Sequence, residues 1–431
     1  MERNAQLLGL SALTGVVVPS AFHANEGSTG IRQLYLKKMG LRCCYSFENK
    51  RKLFEIHASF KFATVVAQRG AITTQFPCAF YLHDDEWLFT ENNEFKRLDY
   101  TLDLVEKTGG QHLGFIELRS SKDVQVAQQM FMKSFFFGEW TQKAGIRLQK
   151  SPAALDISKN SRQRFEDTKI YLKSDEDPRY PPALTKALSQ RLLIIHEGKT
   201  FRDFSDVWEQ RNRYVMPLSK ATDLPEHLER AKSYQLAVRK IASSTNERTI
   251  ISSTLPPGVA VTDSVLVDAT ILGSPNYRKL FLSAIANSFS FDWIARQYIA
   301  ANVNLYILEN LPLAHTQEIQ LLLSHSALRL TCNHDGYEPL WGEQLGETWR
   351  DRQPPFTFPV LPTDDERWLV RAAIDAVVAD AYGLNREQYA HVLSTFSHKS
   401  YPKAPQLCLA CFDELQTIGL EAFTKKYDPY L

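Results

Sequence analysis

A run of polar and basic residues stands between two apolar, strand-like segments, and no other part of the chain restricts folding so tightly. It reads Arg239-Lys240-Ile241-Ala242-Ser243-Ser244-Thr245-Asn246-Glu247-Arg248-Thr249. Tyr234-Gln235-Leu236-Ala237-Val238 precedes it, and Ile250-Ile251-Ser252-Ser253 and Leu255-Pro256-Pro257-Gly258 follow. A buried strand offers no partners for so many hydroxyl, amide and guanidinium groups. The segment is therefore expected at a surface. Ser, Thr, Asn, Arg and Lys side chains are the usual partners of phosphates and base edges, so one reading is a nucleic-acid-facing surface. The other is a loop whose side chains cap its own backbone.

The rest of the composition sets bounds. A chain of 431 residues is long enough for about three domains. Its 44% hydrophobic and 23% charged content is that of an ordinary globular protein, and the net charge is only +1. The charge is unevenly spread. Residues 140–248 hold 21 Lys+Arg against 14 Asp+Glu, whereas 364–431 hold 7 against 10. A basic middle and an acidic end point to a polyanion in the middle. Six cysteines are too few for a disulfide scaffold at this length, and Cys408-x-x-Cys411 lies in an apolar helical run that suits burial better than zinc. From these features the reducing cytoplasm is the expected compartment. The start, Leu7 to Val18, has no basic leader and ends as a strand, and no apolar run reaches the ~18 residues of a membrane span.

In order, Gly15–Ser20, Cys43–Glu48 and Ser59–Ala67 read as strands and Thr29–Met39 as a helix, which is part of a covered α/β layer. Phe76–Thr108 is strand and loop, and Ser121–Lys133 is a helix. Residues 140–182 are loop-rich. Leu192–Ile195 is a strand running into a charged turn at His196-Glu197-Gly198-Lys199. Tyr277–Ala301 is helical with a break at Asn287-Ser288. From Asp364 onward the pattern is helical, with Gly383 placed to end the first helix and the Asp364-Asp365-Glu366 triplet at its start. The expected architecture is α/β and α+β: a partial Rossmann-like layer, a mixed α+β domain and a helical C-terminal tail.

Several chemistries find no support in the residues. There is no G-x-G-x-x-G loop, no full G-x-x-x-x-G-Lys-Ser/Thr phosphate loop and no G-x-S-x-G elbow, and no Asp…Glu-x-Lys nuclease constellation finds support. Cys332-Asn333-His334-Asp335 fits a surface turn better than a metal site. Gln353-Pro354-Pro355-Phe356 reads as a Pro-rich turn.

Taken together, the motifs resemble the C-terminal half of the large adenine-specific DNA methyltransferases of type IIG restriction–modification and related phage-defence systems. Gly15 to Ser20 resembles the strand after that family's catalytic motif. Phe47-Glu48-Asn49-Lys50, Leu53-Phe54 and His57 through Phe60-Lys61-Phe62 resemble its next two segments. His196 to Lys199, Arg239 to Thr249, Leu255 to Gly258 and the helix from Asn287-Ser288-Phe289 to Arg296 resemble its target recognition domain. Ala381 to Leu384, Arg386-Glu387 and Leu393 to Phe396 resemble its helical tail.

The resemblance implies four parts: 1–76, the closing strands and helix of a methyltransferase catalytic domain; 77–139, a connecting region; 140–330, a target recognition domain; and 331–431, a linker and helical domain. It implies double-stranded DNA as partner, with phosphate or guanine contacts from Lys199, Arg239 and Arg248; the other reading of Arg248 is an internal pair with Glu247 or another carboxylate of the same domain, and of Lys199 a solvated turn. Asn246 would meet an adenine or a phosphate, and Ser243, Thr245 and Thr249 complete the set. Each good bidentate base contact is worth roughly 1–3 kcal/mol. Arg296, in an apolar helix, is expected to be structural. Arg248→Ala is expected to weaken DNA binding and leave the fold intact.

The family's Gly-rich S-adenosylmethionine loop and its Asn-Pro-Pro-Tyr/Phe motif, which holds and stacks the extruded adenine, are expected ahead of residue 1. S-adenosylmethionine thus belongs to the intact enzyme. This chain alone is expected to bind none, to carry no catalytic residue or metal, and to work with an N-terminal methyltransferase half or a separate catalytic subunit. The alternatives are a stand-alone DNA-binding specificity subunit or part of a type IIG restriction endonuclease.

Overall fold

The structure, a computed structural model, describes residues 1–89, 97–132, 134–150, 155, 164–167, 191–206, 212–242, 246–270, 274–299, 302–352 and 358–431. The chain is mixed α+β with several sheets, and it divides into two compact units, Met1–Met132 and Lys133–Leu431.

In the first unit the strands are β1 (Leu13–Pro19), β2 (Met39–Glu48), β3 (Lys61–Arg69), β4 (Gln75–Leu82) and β5 (Leu98–Thr101). They form one sheet in the order β1-β3-β2-β4-β5. Only β2 and β4 pair in parallel; the other three pairs are antiparallel. The expected layer covered on both faces is only partly present: β3 buries Ala63, Val65 and Ala67 on one face, while Thr64, Val66 and Gln68 on the other are only partly buried. β1 is not covered in that way. Its alternate residues point outward, leaving Leu13 61% and Val17 56% exposed, although the segment is apolar throughout. Between β1 and β2 the helical run is Thr29–Gln33 in α form and Leu34–Lys38 in π form, and Met39 already belongs to β2. The expected boundary at residue 76 falls inside β4, so 1–76 and 77–132 share a sheet and fold as one body. Ladder pairing outweighs the change in composition there.

In the second unit the strands are β6 (Phe135–Phe136), β7 (Leu148–Lys150), β8 (Glu166–Asp167), β9 (Leu192–His196), β10 (Tyr214–Pro217), β11 (Gln235–Arg239), β12 (Ser252–Leu255), β13 (Val259–Val261), β14 (Val265–Asp268) and β15 (Pro312–Leu313). Two four-stranded sheets result, β13-β9-β10-β8 and β12-β11-β14-β7, with β15-β6 as a separate pair. The period-2 alternation of strands explains the packing. Leu192 and Ile194 of β9 join Val259, Val261, Val265, Val267, Ala237 and Leu255 in one core. Leu193 and Ile195, on the opposite face, pack with Met216, Ala260 and Phe165 in another.

Helices cover this layer. Asn276–Ala286 packs on β11 and β12 and against Gln317–Thr331, and Asp364–Ala381 packs against Ala404–Tyr427. The expected break at Asn287-Ser288 is present. Ser288 caps the following helix, Phe289–Arg296, and Asn287 bonds both the amide and the carbonyl of Ser252 on β12 (2.9 and 2.8 Å). Gly383, at φ +71°, follows the Asp364–Ala381 helix, and Thr363 and Glu366 form a reciprocal capping box at its start. Because these helices share the second unit with the sheets, the expected separate domain at 331–431 is not a separate body. Among the described residues no helix is long and apolar enough to cross a membrane.

Candidate nucleic-acid interface

The polar stretch leaves β11 at Arg239, whose amide donates to Ile251 O (2.9 Å). Lys240 is held on both sides, donating to Ser264 O and accepting from Val303 N (2.9 and 2.7 Å). Ser243 and Thr245 lie outside the described residues. Past them the chain turns inward. The carboxylate of Asp292, fully buried in the Phe289–Arg296 helix, accepts from the amides of Thr249 (3.1 Å) and Ile250 (2.9 Å). Its Oδ2 also lies 3.3 Å from Arg248 Nε. Arg248 donates to Asn287 O and stacks over Phe289 and Phe396, at 4.2 and 5.6 Å from the ring centroids. Arg296 closes the clamp, donating to the carbonyls of Asn246 (2.7 Å) and Glu247 (2.5 Å) from above Phe396. Glu247 in turn accepts from the amide and hydroxyl of Ser400 (2.9 and 2.8 Å).

The expected contact residues therefore divide. Arg248, with only 11% of its side chain exposed, and the fully buried Thr249 serve the interior. This revises the expectation that Arg248→Ala leaves the fold intact. Arg239 is partly buried too. It donates to Phe201 O (2.6 Å), and burial lowers its pKa from the ordinary guanidinium value. Lys199 and Asn246 are exposed. Lys199 sits 3.7 Å from Glu197, which is gripped from its other side by Arg213 (2.9 and 2.6 Å). Gly198 brings the Lys199 turn against Arg239, since a Cβ there would lie 3.2 Å from Arg239 Cγ and 3.1 Å from Ser264 O. The structure thus joins Lys199 with Arg239, and Asn246 with the Arg248–Asp292–Arg296 cluster. Arg296 has the structural role expected of it.

Beside the stretch opens a cleft of about 440 Å³, and three guanidinium groups that the sequence reading did not single out, Arg202, Arg367 and Arg371, line it. A smaller recess shares Arg202 and Arg371 with it and reaches Glu247 and Arg248, so cleft and stretch are continuous. Buried Asp203 organises the cations: it accepts from Arg202 Nε at 2.8 Å and forms an ion pair with Arg371. Burial pushes the Asp203 carboxyl up, but Arg371, Arg202 and Arg248 together hold it below the usual range. Arg371 also lies over Trp368 and Phe204 (4.8 and 5.4 Å), and its buried Nε has no hydrogen-bond acceptor. Arg367 donates to Leu330 O (2.9 Å), and burial, helped by the charge of Arg371, draws its pKa down to about 10. The available signal was the i, i+4 spacing of Arg367 and Arg371, which puts both on one helix face.

At the far end of the cleft, His334 Nε2 lies 2.9 Å from Asp206 Oδ2 and both are buried. The Cys332–Asp335 segment is therefore not a surface turn. No group of side chains suited to a metal occurs among the described residues. Gln353-Pro354-Pro355-Phe356 lies outside them.

The resemblance also raises S-adenosylmethionine, and the glycines test the fit. A cofactor cradle needs glycines at which the backbone can meet the ligand. The close-approach glycines here meet protein instead: Gly40 faces Ala71, Gly109 faces Gly114, Gly138 faces Glu309 and Gly198 faces Ser264. None of these four offers a cradle.

No family model and no curated protein matches the chain. Among solved structures it is similar to the type IIG restriction endonuclease BpuSI, with a TM-score of 0.33 and 10% identity over 94% of this chain and 49% of that one. It is also similar to the type IIL restriction-modification enzyme MmeI, solved in complex with DNA, with a TM-score of 0.39 and 9% identity over 89% of this chain and 50% of that one. The chain spans about half the length of each.

Proposed function

We propose that this chain is the DNA target-recognition half of a site-specific, S-adenosylmethionine-dependent adenine-N6 DNA methyltransferase in a restriction–modification or phage-defence system. The observation that carries the reading is the cleft, where Arg202, Arg367 and Arg371 converge beside a polar stretch whose Asn246 faces out. Guanidinium groups in such numbers suit phosphate and guanine recognition. Arg239, Arg248 and Thr249 act one step back by fixing the shape of the stretch. Lys199, Asn246 and the cleft arginines make the contacts, with Ser243 and Thr245 assigned to the same surface from the sequence.

The methyl group then comes from a catalytic half, N-terminal to this chain or in a separate subunit. β1 supports such a partner: its outer edge has no neighbouring strand among the described residues, and Leu13 and Val17 are exposed on one of its faces. Open strand edges of this kind favour addition of another strand.

Two assays on the full chain test the reading. A gel shift with duplex DNA at low salt should show binding, and absence of affinity would remove the proposal. Labelled S-adenosylmethionine should transfer no methyl group to DNA with this chain alone. Transfer would contradict the division of labour.

A further inference from the structure

We propose that the Met1–Met132 unit carries its own binding site for a phosphate group, in the pocket beneath Tyr81. The site is separate from the cleft above and does not depend on the recognition reading.

β2 and β4 run parallel, and the pocket lies at their carboxyl ends, the place where open sheets with parallel strands bind ligands. Its volume is about 300 Å³, and Lys50, Phe80, Tyr81, His83, Leu118 and Arg119 line it. His83 follows directly on β4, and Lys50 stands in the Asn49–Arg51 turn that follows β2, so the ends of the two strands set their positions.

The strand is distorted at this point. Between Tyr45 and Phe47 on β2 the register slips, because Ala79 faces the first and Leu82 the second. The extra residue is accommodated with Tyr81 at φ +58°, a left-handed conformation that is costly for an aromatic residue. Bulges of this kind re-aim side chains, and strain concentrates at functional sites. Here it places the Tyr81 ring between two cations, with Lys61 Nζ at 5.0 Å and the Arg119 guanidinium at 4.6 Å from its centroid.

The charges do not balance. Glu48 takes Lys50 at 2.5 Å, His83 at 3.4 Å and Lys61 at 3.7 Å. Glu117 takes Lys61 at 2.9 Å and buried His23 at 3.0 Å. Arg119 is exposed and enters no ion pair among the described residues, while Asp123 holds its backbone amide at 3.1 Å. One guanidinium therefore faces the pocket without a counter-ion among the described residues, beside Lys50, the His83 ring and an apolar floor of Phe80 and Leu118. A phosphate group supplies the missing charge and the acceptors for a fork-shaped donor.

That phosphate can belong to a DNA backbone or to a free nucleotide. The full chain would be titrated with inorganic phosphate and 5′-AMP, followed by phosphorus NMR, and with a short duplex, followed by fluorescence anisotropy. Arg119→Ala should lower the affinity of the bound probe roughly tenfold, and Arg119→Lys should restore part of it. Lys50→Ala, which alters a second wall of the pocket, should act in the same direction. If the duplex affinity falls and 5′-AMP does not bind, the phosphate is that of DNA. If 5′-AMP binding falls and duplex affinity is unchanged, it is that of a nucleotide. The proposal is overturned if the wild type binds none of the three probes, or if both alanine variants bind them as the wild type does. The recognition reading fails separately, by loss of wild-type duplex affinity or by cleft substitutions that leave it unchanged, whereas binding of inorganic phosphate or 5′-AMP that depends on Arg119 and Lys50 would support this site alone.

Discussion

Arg248 shows how far single residues could be read. From sequence it was a cation in a polar run, and a surface role fitted its neighbours. In the fold it lies against Asp292 and over Phe289 and Phe396, because the Phe289–Arg296 helix supplies a buried carboxylate where the stretch turns inward. No local pattern announces a partner more than forty positions away. Arg296 was easier, since the apolar residues around it already implied an interior helix. Arg248→Ala removes one partner of a buried ion pair, and Asp292 keeps the amides of Thr249 and Ile250. The variant should therefore lose roughly 3 kcal/mol of stability, at the lower end for breaking such pairs. Urea denaturation measures this as a lower midpoint at unchanged slope. A loss below about 0.5 kcal/mol, the range of ordinary surface substitutions, would contradict the interior role.

Elements were more legible than residues where periodicity and caps agree. The caps Thr363 and Asn385 were not singled out, whereas the helices from Asp364 onward, Gly383 at the end of the first and the break at Asn287-Ser288 follow from spacing. β1 did not, since an apolar run cannot reveal that one of its faces lacks a cover. Contacts between elements were beyond reach for a similar reason. Asp375, in the middle of the Asp364–Ala381 helix, accepts from the amide of Phe289 at the start of another helix. Burial lifts its carboxyl from the ordinary 3.8 to about 7. Between those two values the folded protein keeps a proton that the unfolded chain has released, so this group's contribution to stability falls as pH rises through that window. Asp375→Asn keeps the acceptor and removes the titration. Its stability should vary less with pH across the window than that of the wild type, as followed by denaturant midpoints. Identical slopes in the two proteins would show that Asp375 is not the group responsible.

At the scale of the whole molecule, the order of strand-rich, mixed and helical regions was visible in the sequence, but the boundaries were not. Composition shifts near residue 76, yet β4 crosses that point and binds both neighbours into one sheet. The candidate interface was legible in part. The polar stretch is visible in the sequence, while the arginines of the cleft beside it come from residues 202, 367 and 371, which only the tertiary fold brings together. The central claim is that this assembled cleft, with the Lys199 turn, holds duplex DNA. The most direct measurement is the affinity of the full chain for duplex DNA as a function of salt, for wild type, Lys199→Ala and Arg202→Ala. The account predicts affinity falling linearly on logarithmic axes, with each substitution weakening binding and reducing the slope by roughly one. Wild-type affinity and slope in both folded variants would contradict it.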